Sequence, residues 1–122
     1  MLNKNHYDLT EVDGGYSMII HKFIELITEF VDVWDLIYFK SLDSVWIYLK
    51  SIEDKKNSFT VIFNFKSQRV ELLKGESIID TIALEKSNIN ISYRIIEIIT
   101  DRVLKNKPIS FEKNLEGCVL EL

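Results

Sequence analysis

The chain reads as an α+β domain: an antiparallel β-meander of about four to five strands, with an N-terminal and a C-terminal helix packed on one face. Three observations predict it. Large apolar residues recur at helical spacing between residues 20 and 34, and again from residue 91 onward. Between those stretches the period shortens to two, and β-branched and aromatic residues dominate. The polar segments separating the alternating runs are short enough for hairpins.

The first element follows "VDGGYS", residues 12–17, where two glycines tolerate a tight turn and Ser17 is the expected N-cap. Ile20, Phe23, Ile24, Ile27, Phe30, Val31 and Trp34 then form one stripe, which predicts a helix over 17–33. His21, Glu25, Glu29 and Asp32 fall on the opposite side. "LIYF" suits a strand. In 45–52, Val45, Ile47 and Leu49 alternate with Trp46, Tyr48 and Lys50. In 59–65, Phe59, Val61, Phe63 and Phe65 alternate with Thr60, Ile62 and Asn64. "RVELL" gives a further strand and "KGES" a turn after it. "SIIDTIALEKS" fits a short strand or a helical turn equally well. From Ile91 through Arg102 helical spacing returns, with Asn88 or Asn90 as cap. The many isoleucines lower intrinsic helix preference there, so burial must hold that segment together. Pro108 is expected to close it, and "GCVLEL" to form a last short strand on a sheet edge. The whole of 1–122 reads as a single domain, with neither repeat nor linker.

The predicted sheet has a second face that would show Trp46, Tyr48 and Ile62. That face is too apolar for water alone, so either the C-terminal segment or a partner should cover it.

Composition narrows the function. A length of 122 residues, 47% hydrophobic and 28% charged, suffices for one core without disulfides or a structural metal. No stretch approaches the roughly 18–20 apolar residues of a membrane span. The N-terminal fifteen residues have no apolar signal region, so a soluble, cytoplasmic protein is expected. The one cysteine, Cys118, excludes an internal disulfide and is expected to be a buried, inert thiol. Abundant Ile, Asn and Lys with a single alanine is the usage of AT-rich genes, as in many bacteria and phages.

Catalytic signatures are missing. "VDGG" lacks the spacing of a phosphate-binding loop, and no serine elbow or oriented histidine accompanies the serines. His21 and Glu25 lie four apart and could touch one metal, but a third ligand is not evident, so neither metal nor cofactor is expected. Carboxylates on a helix exterior stay solvated, with nothing to raise a pKa toward a working value. An enzyme is therefore not expected. Nucleic-acid binding is disfavoured as well, because the net charge is −4 and no basic stripe accompanies the aromatic residues.

What stands out is charge placement. Residues 1–44 hold three bases against eight acids, whereas the remainder holds twelve bases against eleven acids. The helix lane His21, Glu25, Glu29, Asp32 contains no lysine or arginine, and like charges four apart repel. Glu29 and Asp32 also lie toward the helix C-terminus, where the macrodipole disfavours anions. Such local conflict suits a surface that meets a basic partner, which it would steer in at low salt. Glu25, Glu29, Asp32 and Asp35, with Trp34 and His21 beside them, are the candidate partner-binding residues.

A small, acidic, single-domain α+β chain with a carboxylate helix face and no catalytic motif resembles the immunity proteins of bacterial toxin systems, those of contact-dependent growth inhibition in particular. The resemblance lies in the character of the whole chain. No motif carries it, and the candidate contacts come from the lane itself. It implies an inhibitor that binds a cognate toxin, often a basic nuclease domain, one-to-one in the cytoplasm as a monomer or weak homodimer. The competing reading is a homodimeric structural or assembly protein of bacterial or phage origin, non-catalytic, joined through its aromatic sheet face.

Overall fold

A computed structural model describes residues 8–30, 34–52 and 58–102. Helix α1 spans Gly14–Ile27 and is followed by a 3₁₀ turn, Thr28–Phe30. Five strands come next: β1 Trp34–Lys40, β2 Ser44–Ser51, β3 Phe59–Asn64, β4 Arg69–Lys74 and β5 Ser77–Ala83. Helix α2, Asn90–Arg102, follows. The strands form one antiparallel sheet in the order β1-β2-β3-β4-β5, so every strand pairs with its chain neighbour. This is the α+β meander with an N-terminal and a C-terminal helix that the alternating periods predict.

The register shows why the sequence folds this way. Leu36 lies opposite Leu49 in β2. Ile47 lies between Tyr38 and Val61, and Val61 in turn opposite Leu72. Val45, Ile47, Leu49, Phe59, Val61, Phe63, Val70 and Leu72 are all buried in one cluster with Ile19, Ile20, Phe23 and Ile24 of α1 and Ile95, Ile96 and Ile99 of α2. Aromatic contacts orient α1 on the central strand. Tyr16 stacks on Phe65 at 5.0 Å between centroids, and Phe23 meets Phe63 at 5.9 Å. The helix therefore runs antiparallel to β3, its first turn over the β3–β4 turn.

Helix α1 departs from the predicted 17–33 at both ends. Its N-cap is Asp13, not Ser17: the Asp13 carboxylate accepts the Gly15 N–H at 2.8 Å, and its carbonyl accepts from Ser17 N–H at 2.8 Å. An aspartate at this position meets a donor that the helix leaves open, whereas Ser17 lies inside the first turn and donates to the Gly14 carbonyl. The glycines read as a turn open the helix instead. At the other end the Thr28 hydroxyl donates to the Ile24 carbonyl at 2.5 Å, and the chain tightens into the 3₁₀ turn. Trp34 accordingly lies in β1.

Helix α2 begins as expected, with Asn88 supplying the cap: its side-chain oxygen accepts from Asn90 N–H at 3.2 Å. The ambiguous segment 77–83 is strand β5. A bulge opposite Leu72/Leu73 breaks its alternation. The two-residue turn before it places Gly75 at φ 64°, the left-handed position that a primed hairpin turn requires. The expected closure at Pro108 and the strand "GCVLEL" with Cys118 lie outside the described residues.

Candidate protein-binding surfaces

The structure separates the predicted contact residues. On α1, His21 and Glu25 are exposed, with side-chain accessibilities of 55% and 54%. Glu29 is exposed in the 3₁₀ turn, and Asp35 lies half-buried in β1. Asp32 lies outside the described residues. Trp34 does not join this surface. It is buried, with its ring meeting Phe59 edge-on at 5.2 Å. The cause is strand alternation, which turns Trp34 inward together with Leu36.

The expectation that the lane lacks an internal cation is also corrected. Lys22 Nζ lies 3.2 Å from Glu25 Oε1, and His21 Nε2 lies 3.4 Å from Glu25 Oε2. The hydrogen bond to Glu25 raises the Lys22 pKa above the ordinary lysine value. The same ammonium sits 5.8 Å from the centre of the Tyr93 ring, so it bridges α1 to α2. Lys22 lies one position off the lane and reaches it by i,i+3 spacing, a pairing that the sequence already offered.

A cleft of about 590 Å³ opens at the turn end of the sheet, lined by residues that include Glu11, Asp13, Tyr16, Lys40, Leu42 and Phe65. Its carboxylates are engaged. Lys40 reaches Glu11 at 3.5 Å, and Lys86 reaches Asp13 at 3.1 Å. The backbone N–H of Gly15, and after it Lys86, hold Asp13 below the ordinary carboxylate range. An acid kept ionised in this way is a poor proton donor near neutrality. Among the described residues no cluster of three or more His, Cys, Asp or Glu side chains is placed to hold a metal.

The outer sheet face has a different chemistry. Alternation turns Asp35, Ile37 and Phe39 outward on β1, and Trp46, Tyr48 and Lys50 on β2. Cross-strand register puts Phe39 opposite Trp46 and Ile37 opposite Tyr48, a two-by-two block of large apolar groups. They are 61%, 43%, 52% and 37% exposed respectively. Trp46 is held in place by its indole N–H, which donates to the Ser44 hydroxyl at 3.0 Å. Next across the sheet lies Ile62, which is buried yet stands outside the main core cluster. Leu73 and Ile78 continue the outer face toward β5. The sequence showed this face through Trp46, Tyr48 and Ile62. It missed Ile37 and Phe39, although their alternation within 34–40 was the available signal.

No helix among the described residues is long and apolar enough to cross a membrane. Comparison with protein-family models, with curated proteins and with solved structures finds no match.

Proposed function

We propose that this chain works by binding another protein, without catalysis, and that the outer sheet face is its contact surface. The observation that carries the reading is the exposed block of Ile37, Phe39, Trp46 and Tyr48 on two adjacent strands. Single exposed apolar residues are ordinary, but four in register make a continuous patch, and such patches mark interaction sites. Aromatic residues also supply large contact area at small conformational cost. A Trp34→Phe variant, in which Trp46 is the only tryptophan, tests whether the face is available. In dilute protein acrylamide should quench Trp46 freely. An indole shielded at every dilution would mean that the chain covers this face itself, and the reading would fail.

A second reading keeps the toxin inhibitor, with the cognate toxin a basic nuclease domain. It is favoured by the acidic surplus of the first third and by the exposed Glu25 and Glu29. The Glu25 contacts to Lys22 and His21 are surface contacts, each worth little in water, so a basic partner could replace them. Reversing charge at Glu25 and Glu29 should slow association with such a toxin while leaving the melting temperature nearly unchanged. Mixing with the protein encoded by the adjacent reading frame, followed by gel filtration at low salt, tests this reading. Absence of a complex removes it.

A further inference from the structure

We infer that the partner seated on the outer sheet face is a second copy of this chain, joined sheet to sheet. The inference rests on the proposal that this face is the contact surface, and it goes further by naming the occupant from charge and area.

Charge comes first. The chain carries a net −4, so two copies repel wherever acidic surfaces meet. The outer face is the exception. Among the described strand residues its charged side chains are Asp35 on β1, Lys50 on β2, and Arg69 and Glu71 on β4, two of each sign. Asp35 and Lys50 stand directly opposite each other in the register, so that end of the face is itself balanced. A face of no net charge neither attracts a strongly basic partner nor repels its own copy. Among the described acids, Glu25 lies on the helix side, and Glu11 and Asp13 at the turn end, away from this face.

Area is the second argument. An aromatic side chain presents about 150–250 Å². The exposed fractions of Phe39, Trp46 and Tyr48 therefore leave roughly 300 Å² of ring surface. Ile37 at 52% and Ile78 at 57% enlarge the patch. A specific protein–protein interface of standard size buries about 800 Å² per partner, and homodimer interfaces are roughly 65% apolar. The apolar block, with the polar residues Thr60, Asn64 and Thr81 on the same face, is of that size. Sheet faces pack on one another about 10 Å apart with side chains interleaved, and a two-fold axis uses the same patch twice.

Sedimentation velocity across a graded concentration series, with the Trp34→Phe chain reporting on Trp46, is the test. A monomer–dimer equilibrium is expected, with Trp46 quenched by acrylamide when dilute and shielded when concentrated. Phe39→Lys should weaken the dimer by roughly thirtyfold or more. Ile37→Lys provides a second variant, and circular dichroism verifies that each retains its fold. A chain that stays monomeric at high concentration with Trp46 open to quencher overturns the second copy while leaving the face to a different protein. A monomer with Trp46 shielded overturns both proposals. A dimer that persists unchanged in both lysine variants places the interface elsewhere, and it too overturns the inference.

Discussion

The hydroxyl of Ser92, fully buried in α2, donates to the backbone carbonyl of Ile19 in α1 at 2.6 Å. These residues are 73 positions apart, and the bond fixes the height at which the two helices cross. Ser92→Ala should cost about 1 kcal/mol, the net worth of one buried neutral hydrogen bond. A urea titration should show a lower midpoint with an unchanged slope. An unaltered midpoint would mean that isoleucine packing alone aligns the helices.

The two tryptophans should behave as opposites. Trp34 is 5% exposed and wedged against Phe59, so Trp34→Ala should lose about 3–5 kcal/mol. Trp46 is 43% exposed and its indole makes one hydrogen bond, to Ser44. Trp46→Ala should cost about 1 kcal/mol in the monomer. Equal losses in chemical denaturation would contradict the division into a core ring and a surface ring.

Two adjacent glycines make a further contrast. A Cβ on Gly15 would lie 2.9 Å from Lys86 Cβ and 3.1 Å from Ser87 Oγ. The loop is held there by Ser87 N–H donating to the Gly15 carbonyl at 2.8 Å. Gly15→Ala should destabilise by about 1–3 kcal/mol, the usual cost of overpacking. A Cβ on Gly14 meets nothing within 4 Å. Gly14→Ala should stabilise by about 0.4–1 kcal/mol, because it restricts the unfolded chain without strain. Thermal unfolding of the pair checks the opposite signs.

Acid should weaken the fold in a defined direction. Asp13 is held below its ordinary pKa of 3.8 by the Gly15 N–H and then by Lys86, and Asp8 by the Thr10 N–H. A carboxylate whose folded pKa is depressed stabilises the fold above its unfolded value. That contribution disappears as pH falls through 3.8 toward the lower folded value. Asp13→Asn keeps a capping oxygen but loses the charge. The melting temperatures of the native chain and this variant should therefore differ near neutrality and converge toward acid. A gap that stays constant with pH would assign the difference to geometry alone.

The strands within 45–52 and 59–65 are readable because each turns one face into the core and alternates without interruption. Strand β5 was ambiguous for a physical reason. Its bulge sets Ile78 and Ile79 side by side, so the period of two is lost where it was needed. The helix ends were misplaced because they depend on single side-chain bonds, Asp13 to Gly15 and Thr28 to Ile24, which periodicity does not sense. The cation beside the lane escapes an i,i+4 reading because Lys22 reaches Glu25 at i,i+3. Trp34 continues the apolar stripe of the helix in the sequence, although the chain is already a strand there.

The neighbour-only order of the five strands also bears on how the chain folds. Each hairpin closes a short loop, so the sheet can zip up from any turn with little entropy lost per step. Helix α1 cannot bury Phe23 until β3 supplies Phe63, and the Ser92–Ile19 bond must wait for both ends of the described chain. The docking of α2 against α1 therefore closes the longest of these separations, 73 residues between Ile19 and Ser92.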